Sequence, residues 1–125
     1  MLAAEIRLRD VMTPVVTCVT PDLGLDELRE LLLAEGISGV PVIDEAGRPI
    51  GVVSKTDLVG LGPGAAIVAD VMMPVAFTLR DTDTLQRAAQ LMATEHIHRL
   101  PLVDEHRRIS GIITTFDLAR WVAKS

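Results

Sequence analysis

The chain has 125 residues, a net charge of -5 and a hydrophobic content of 49% that is mainly aliphatic, with two Phe, one Trp and no Tyr. This length allows a buried core without a metal, and the single Cys18 excludes an internal disulfide and a cysteine zinc site. The acidic balance, the lack of aromatic platforms and the absence of a long apolar run indicate a cytoplasmic protein with no nucleic-acid or membrane partner.

The first elements follow from local signals. An apolar run at residues 15–19, after Met-Thr-Pro, predicts a short strand. Pro21 and Asp22 form a turn before leucines at helical spacing, which predict a helix. Gly36 is typical of the C-terminal end of that helix.

A hairpin and a second helix are predicted next. Residues 40–43 and 50–53 are short apolar segments separated by turn residues at 45–47, which is typical of a β-hairpin. A second helix is expected to begin at about Thr56. The first half of the chain therefore has the predicted element order β-α-β-β-α.

The second half of the chain repeats the first at a constant offset of 60 residues. Identical pairs include Asp10 and Asp70, Met12 and Met72, Pro14 and Pro74, Leu25 and Leu85, Pro41 and Pro101, Gly51 and Gly111, and Asp57 and Asp117. The same elements are predicted again, with a strand at 75–79 and a second helix from about Phe116. We expect repeats at residues 8–60 and 70–123 and a glycine-rich linker at 61–69.

The repeat predicts the fold class. A unit of about fifty residues leaves a small sheet half covered and is marginal alone. We therefore predict an α+β fold of duplicated β-α-β-β-α units with pseudo-twofold symmetry, in which two small sheets pack together.

A shared motif follows the last strand of each copy. Residues 51–57 and 111–117 both contain Gly, two apolar residues, Ser or Thr, two variable residues and Asp. Free N–H groups at a helix start favour phosphate, and a carboxylate accepts hydrogen bonds from both hydroxyls of a ribose. The same residues also fit a capping box that needs no ligand, and both interpretations stay open.

Three duplicated motifs together resemble a known family. They are the Asp-Val-Met-x-Pro segment, the Ile-x-x-Val/Leu-Pro-Val/Leu-Ile/Val-Asp strand and the Gly-apolar-apolar-Ser/Thr-x-x-Asp motif. Over residues 8–122 the chain resembles a tandem pair of cystathionine β-synthase (CBS) domains, or Bateman module. The resemblance implies two related clefts between the repeats that bind AMP, ADP, ATP or S-adenosylmethionine, and association of modules into disc-like dimers.

The resemblance also implies roles for residues of the shared motif. Asp57 and Asp117 are expected to hold ribose hydroxyls. Ser54, Thr56 and Thr114 are expected to contact phosphate or ribose. The Ser or Thr and the Asp of this motif are present in both copies, whereas Thr56 corresponds to Phe116.

Three further site residues lie outside that motif. Thr13 resembles the family's hydroxyl that reaches the nucleotide held by the opposite repeat. His98 and Arg99 resemble the His-Arg strand that neutralises phosphates in the γ subunit of AMP-activated protein kinase. The open alternative for His98 and Arg99 is an exposed turn before a strand that is solvated or salt-bridged with Glu95.

The two copies differ at these positions. The differences are Ser38-Gly39 in place of His98-Arg99, Thr56 in place of Phe116, and Thr13 in place of Met73. We therefore expect unequal clefts, with the one that contains Asp117 binding phosphate better. Occupancy of one cleft or of both stays open.

The expected function is that of a stand-alone regulatory sensor. The chain is expected to bind an adenine nucleotide without requiring a cofactor, and to act through a homodimer or a separate effector protein. The alternatives are a ligand-free dimerisation or interaction scaffold and a binder of S-adenosylmethionine or NAD. Neither an enzyme nor a metal site is expected, because the sequence has no nucleophile triad, Walker motif or clustered metal ligands.

Overall fold

The computed structural model describes residues 2–14 and 17–124. The helices are α1 (Leu25–Glu35), α2 (Leu85–Glu95) and α3 (Thr115–Lys124). The strands are β1 (Thr13–Pro14), β2 (Gly39–Ile43), β3 (Pro49–Ser54), β4 (Met73–Pro74), β5 (Leu79–Arg80), β6 (Arg99–Val103) and β7 (Ile109–Thr114). Single turns of 3-10 helix lie at Ala3–Glu5, Leu8–Asp10, Lys55–Leu58 and Val68–Asp70.

The described residues divide into two compact units. The first-repeat unit contains residues 17–75, and the second-repeat unit contains residues 2–14 and 76–124. The three helices and two small sheets confirm the predicted α+β class and its duplication. None of the described helices has the length and apolar composition that a bilayer span requires.

The second-repeat unit contains a four-stranded sheet in the order β1-β7-β6-β5. β6 and β7 form the predicted antiparallel hairpin, β1 adds antiparallel to β7, and β5 adds parallel to β6. One face of this sheet packs against the apolar face of α2. The buried core residues are Leu8, Leu85, Ala88, Met92, Leu100, Leu102 and Ile113.

The first-repeat unit contains a three-stranded sheet in the order β2-β3-β4, built on the other predicted hairpin. Val19 forms an isolated parallel bridge with Val42, the place that β5 takes beside β6 in the second-repeat unit. The buried core residues are Val19, Leu25, Leu28, Leu32, Val40, Val42, Val53 and Val68. Both cores are therefore aliphatic, as the composition requires.

The first residues of each repeat pair with the sheet of the other repeat. Thr13 in β1 lies opposite Ile112 in β7, and Leu8 is fully buried in the second-repeat core. In the same way, Met73 in β4 lies opposite Val52 in β3. Each sheet thus has an edge strand that comes from the other repeat. The bounds of the repeats at 8–60 and 70–123 stay a prediction.

The C-terminal end of α1 lies where the sequence predicts it. Gly36 follows α1 with φ +65°, and its N–H donates to carbonyls of the last turn. In the second copy His96 takes the same left-handed conformation, with φ +55°. A non-glycine residue rarely adopts this backbone, so the sequence offered no equivalent signal there.

The predicted second helix of the first copy is wrong. Only one turn of 3-10 helix, Lys55–Leu58, follows β3, whereas α3 runs for ten residues after β7. Gly60 has φ +68°, which a continuing helix excludes, and Pro63 lacks the N–H that an interior helical position donates. The corresponding residues of α3 contain no Gly or Pro.

The predicted first strand of each copy is much shorter than expected. Residues 15 and 16 of the strand predicted at 15–19 lie outside the described residues, and of the remainder Val19 alone pairs. In the second copy, the strand predicted at 75–79 is reduced to β5, which begins at Leu79. The five-residue apolar runs therefore predicted where the chain pairs with each sheet, but the paired segments are shorter than predicted.

Candidate functional site

Strand register places three of the predicted site residues on one face of the second-repeat sheet. Thr13 lies opposite Ile112, and Arg99 lies opposite Thr114. Cross-strand partners share a face, and so do residues two apart along a strand. Thr13, Arg99 and Thr114 therefore share the face opposite the buried core positions.

The junction of β7 with α3, which we name the Asp117 corner, is built by a capping box. The Thr114 N–H donates to Asp117 Oδ2 at 2.9 Å, and the Thr114 hydroxyl donates to the same oxygen at 3.0 Å. The Asp117 N–H donates to Thr114 Oγ1 at 3.1 Å. The capping interpretation is thus realised here, and it engages one carboxylate oxygen twice in a residue that is only 7% exposed.

The second oxygen of Asp117 is also engaged. Arg120, three residues on along α3, donates through Nη2 to Asp117 Oδ1 at 3.1 Å. The guanidinium of Arg120 also lies over the Phe116 ring, 5.5 Å from its centroid, which is a favourable cation–π distance. Both oxygens of this carboxylate therefore have partners within the chain.

The junction of β3 with the Lys55–Leu58 turn, which we name the Asp57 corner, has the same motif with fewer contacts. The Ser54 N–H donates to Asp57 Oδ2 at 2.8 Å, and the Ser54 hydroxyl lies 3.2 Å from that oxygen. The hydroxyls of Ser54 and Thr56 share a hydrogen bond of 2.7 Å. Within residues 2–14 and 17–124, no side chain or backbone group hydrogen-bonds to Asp57 Oδ1.

A glycine in each corner strand lets the edge strand approach closely. A Cβ on Gly111 would collide with Met12 Sδ and lie 2.9 Å from the Thr13 carbonyl oxygen. A Cβ on Gly51 would lie 2.7 Å from Met72 Sδ. The missing Cβ of each motif glycine therefore lets the edge strand lie close to the corner strand, and at Gly111 this edge strand contains Thr13.

The Asp of the Asp-Val-Met-x-Pro segment also has a local role in one copy. Asp70 Oδ2 accepts hydrogen bonds from the N–H groups of Ala66 at 2.9 Å and Ile67 at 3.0 Å. These two backbone donors hold the pKa of Asp70 below its ordinary value. Asp70 thus organises the turn that leads into β4.

His98 lies just before β6, and its side chain is exposed. Its carbonyl accepts a hydrogen bond from the Thr115 N–H at 3.0 Å, as the carbonyl of Ser38 does from the Lys55 N–H. The backbone of this residue thus ties β6 to the start of α3, beside the Asp117 corner. Within the described part of the chain, no cluster of three or more His, Cys, Asp or Glu side chains has the arrangement of a metal site.

A surface cavity of about 340 Å³ lies in the first-repeat unit, between α1 and the Lys55–Leu58 turn. It is lined by Arg29, Leu32, Leu33, Lys55, Leu58 and Val59. None of the predicted site residues lines it. The cavity therefore lies between α1 and the Asp57 corner and contacts Lys55 and Leu58 of that turn, but not the side chains of Ser54, Thr56 or Asp57.

Arg120 is the residue at these corners that the sequence reasoning missed. An Asp and an Arg three residues apart on a helix are neighbours on its surface, and this spacing was a signal that could have found the pair. The prediction treated residues after Asp117 only as a helix. The corresponding residue of the first copy is Gly60, so the duplication gave no second instance to draw attention to it.

A comparison with family models decides the classification. The CBS domain model matches residues 8–63 and again residues 68–124. The chain belongs to the CBS-domain family. The predicted resemblance to a tandem CBS pair is thus confirmed.

Among curated relatives, this CBS pair is similar to an inosine-5'-monophosphate dehydrogenase of Korarchaeum cryptofilum. The two are 35% identical over 112 residues, which is 89% of this chain and 22% of the dehydrogenase. The chain therefore spans about a fifth of the length of that relative. The match supports the family, while the activity of the whole dehydrogenase does not transfer with it.

Solved structures of CBS pairs share the fold. CBSX2 of Arabidopsis thaliana, solved in complex with AMP, is 28% identical, with a TM-score of 0.81 and coverage of 95% of this chain and 97% of that one. The CBS pair of protein MJ0100, solved with 5'-methylthioadenosine and S-adenosyl-L-methionine, has a TM-score of 0.80 and covers 94% of this chain and 96% of its own. At 22% identity, the second comparison supports the fold alone.

Proposed function

We propose that this CBS pair is a regulatory module that binds an adenine nucleotide, AMP, ADP or ATP, at its strand-to-helix corners and catalyses no reaction. The observation that carries the proposal is the recurrence of one arrangement. Each corner holds a hydroxyl at the end of the central strand and a carboxylate in the following turn. Capping alone does not require that Thr13 and Arg99 lie on the same sheet face as the hydroxyl of one of these corners.

The residues divide between the parts of a nucleotide. Asp57 and Asp117 accept hydrogen bonds from ribose hydroxyls, since a carboxylate suits a vicinal diol and repels phosphate. Ser54, Thr56 and Thr114 contact phosphate or ribose oxygens through their hydroxyls. In the free chain the Ser54 and Thr114 hydroxyls donate their single hydrogen to the neighbouring carboxylate, so on binding they redirect it to the ligand.

Three residues near the Asp117 corner add further polar groups to the site there. Thr13 adds a hydroxyl from β1, and Arg99 offers a planar guanidinium that suits bidentate contact with a phosphate. His98, one residue earlier, adds an imidazole that donates from one nitrogen when neutral and from both when protonated. This concentration of donors favours a phosphorylated ligand at the Asp117 corner.

The relatives support adenosyl ligands as a class. CBSX2 was solved with AMP, and the CBS pair of MJ0100 was solved with S-adenosyl-L-methionine and 5'-methylthioadenosine. All three carry an adenine and a ribose, and they differ in what is attached at the 5' position. S-adenosylmethionine and NAD are therefore the ligands to compare directly with the adenine nucleotides.

A ligand-free interaction scaffold is the second candidate, and a specific observation favours it. Both oxygens of Asp117 are already engaged, by the Thr114 capping box and by Arg120. A carboxylate in that state serves the fold without any ligand. A nucleotide-binding module is therefore expected to release or absorb heat in a titration with its ligand, whereas a ligand-free scaffold is expected to give none.

The test is calorimetric titration of the chain with AMP, ADP, ATP, S-adenosylmethionine and NAD. We expect binding of an adenine nucleotide that weakens strongly in Asp117→Asn and weakens less in Arg99→Ala. Asn keeps an acceptor oxygen for the Thr114 N–H, so this variant tests the charge more than the cap. Arg87→Ala, which removes an exposed arginine from the start of α2, is the charge-matched control and should bind like wild type.

Each other outcome contradicts a defined part of the proposal. Equal binding by wild type and both site variants would show that the site residues are wrongly assigned. No heat with any of the five compounds would favour the scaffold. Steady conversion of any of them into product would overturn the claim that the chain is not an enzyme.

A regulatory role also requires an output. A ligand changes the behaviour of a protein only when it binds two states of that protein with different affinity. We propose that the output passes through a homodimer of CBS pairs or through a separate effector protein. Sedimentation with and without the bound nucleotide measures whether association is the property that changes.

A further inference from the structure

The two corners differ in one contact that bears on ribose binding. Asp117 Oδ1 accepts a hydrogen bond from Arg120 at 3.1 Å, whereas Asp57 Oδ1 has no partner among the described residues. The residue of the first repeat that corresponds to Arg120 is Gly60, which has no side chain to make such a contact. The difference is therefore encoded in the sequence and not in a choice of rotamer.

The surroundings of Arg120 hold its guanidinium at the carboxylate. The Phe116 ring supports the cation from one side, with 5.5 Å between the guanidinium carbon and the ring centroid. Asp117 has a side chain only 6% exposed, so Arg120 supplies the charge that this nearly buried carboxylate needs. In the first repeat Thr56 replaces Phe116, and the support is absent together with the arginine.

A vicinal diol needs acceptor positions that this contact uses. Two adjacent hydroxyls donate most favourably to the two oxygens of one carboxylate. At the Asp117 corner Oδ2 already accepts two hydrogen bonds and Oδ1 accepts the arginine. Both bonds have an ionised acceptor, but the guanidinium is also an ionised donor, so the arginine competes with a neutral hydroxyl for this oxygen.

We propose that Arg120 is an internal competitor for ribose at the Asp117 corner, so that it weakens binding of a diol there while the Asp57 corner stays open. This inference rests on the proposed function, since it concerns how a nucleoside reaches the carboxylates of that site. Arg120 acts as a specificity-determining residue through Asp117. It is unlike Arg99, which is proposed to attract the ligand.

The expected size of the effect follows from the exposure of the pair. The side chain of Arg120 is 50% exposed, and ion pairs with one solvated partner contribute little. Removing the competitor should therefore tighten diol binding at this corner by about two- to fivefold. Adenosine is the suitable probe, because it presents the diol without a phosphate that would attract the freed cation.

The experiment is an NMR titration of the complete chain with adenosine, followed at two backbone amides. The N–H of Ser54 donates to Asp57 and the N–H of Thr114 donates to Asp117, so each amide reports one carboxylate. In Arg120→Ala we expect the titration midpoint of the Thr114 amide to fall by two- to fivefold and that of Ser54 to stay unchanged. Arg120→Gln repeats the test with a side chain of similar length, should the alanine variant fold poorly.

Two controls isolate the competition. Arg29→Ala removes an arginine from a matched i, i+3 pair, with Asp26 at the same distance of 3.1 Å, and should leave both midpoints unchanged. In wild type and in Arg120→Ala, 2',3'-dideoxyadenosine lacks the diol, and its binding should not tighten on removal of Arg120. A gain of equal size for the dideoxy compound would overturn the inference.

The remaining outcomes separate this inference from the function on which it rests. A Thr114 midpoint that stays the same or rises in Arg120→Ala, with binding intact in wild type, shows that Arg120 does not compete and refutes the inference alone. If neither amide responds to adenosine or to AMP in wild type or either variant, the proposed nucleotide binding itself fails, and the inference fails with it.

Discussion

The Asp57 and Asp117 corners carry one motif in two different surroundings. In both, the carboxylate accepts a hydrogen bond from the N–H of the residue three positions earlier. After Asp117 the helix continues and places Arg120 on the free oxygen, whereas after Asp57 the helix ends within a turn. The motif alone therefore does not fix the chemistry of the carboxylate, because the residue three positions after the Asp decides whether Oδ1 has a partner.

The same difference in helix length changes the packing of the two units. In the second-repeat unit Trp121 of α3 packs against the core. In the first-repeat unit the chain turns away at Gly60, and a surface cavity of about 340 Å³ lies between α1 and the Lys55–Leu58 turn. The second repeat thus has a complete helical layer, whereas the helical layer of the first repeat is open.

The largest effect expected from comparing the repeats comes from their motif glycines. A Cβ at Gly111 meets Met12 Sδ and the Thr13 carbonyl oxygen, at 2.9 Å, and the latter is backbone that cannot rotate away. At Gly51 the carbonyl of Met73 is 3.1 Å away, so relief is easier. We expect Gly111→Ala to lower the free energy of unfolding by about 1–3 kcal/mol, and Gly51→Ala to lower it less.

Urea unfolding of both variants measures this difference. Gly62→Ala is the control, because a Cβ there has no neighbour within 4 Å, and it should change the free energy of unfolding by no more than about 0.5 kcal/mol. A loss at Gly51 that equals or exceeds the loss at Gly111 would mean that the two edge strands approach their sheets equally closely.

A smaller effect of opposite sign is expected at the hairpin turns. Gly47 has φ +81° in the first hairpin, while its counterpart Arg107 has φ +65° in the second. The left-handed conformation costs a non-glycine residue about 1–2 kcal/mol, and the greater freedom of unfolded glycine offsets part of that gain. Arg107→Gly should therefore raise the free energy of unfolding by about 0.5–1 kcal/mol, as measured in urea.

The reverse substitution tests the same cause in the other repeat. Gly47→Ala places a Cβ in the same backbone conformation and should lower the free energy of unfolding by a similar amount. If Arg107→Gly instead destabilises the chain, the arginine side chain makes a contribution that outweighs its backbone strain.

The comparison also shows which parts of the fold the sequence predicts. The hairpins, the first helices and the duplication were predictable because their signals are local: alternating apolar runs, turn residues and leucines at helical spacing. Gly36 marked the end of α1 for the same reason. The exchange of edge strands was not predicted from the residues themselves, since pairing between Thr13 and Ile112 depends on contacts ninety-nine positions apart in the chain.

The missing helix after Asp57 had a signal that was given too little weight. Gly60 ends the predicted first repeat and Gly62, Pro63 and Gly64 lie in the predicted linker, although this series begins only three residues after the carboxylate. Helix propensity falls by about 1 kcal/mol at each interior glycine and by more at proline. Because the two halves are similar in sequence, the same helix was predicted in both. The glycines and proline after Asp57 prevent that helix in the first copy.

The sequence selected candidate site residues but did not predict their contacts. Register places Thr13, Arg99 and Thr114 on one face, which agrees with their selection from the motifs. The occupation of Asp117 by Arg120 depends on side-chain direction along α3, which a motif does not describe. Whether the selected residues bind a nucleotide stays a prediction.

The smallest expected effect distinguishes the hairpin turns by their response to acid. Oδ1 of Asp44 accepts hydrogen bonds from the N–H groups of Arg48 and Ala46, and Asp104 accepts the corresponding pair. The N–H of Arg48 and of Arg108, respectively, is the main cause that lowers the pKa of each carboxyl below its ordinary value. Asp44 Oδ2 also pairs with Arg48 Nε at 2.8 Å, a contact without a counterpart at Asp104 among the described residues.

A pKa lowered in the folded state stabilises the fold at pH above the ordinary value, and this stabilisation is lost as the pH falls through the lowered pKa. Asp44→Asn and Asp104→Asn keep an acceptor oxygen but remove the titration. At pH 7 both should unfold at slightly lower urea than wild type, Asp44→Asn more so because it also loses the ion pair with Arg48. The deficit of each variant should shrink as the pH falls to about 3, where wild type loses the same charge. Urea midpoints that fall in parallel for wild type and variants across this range would show that neither turn carboxylate contributes to acid sensitivity, and equal deficits at pH 7 would show that the Arg48 ion pair adds nothing to the first hairpin.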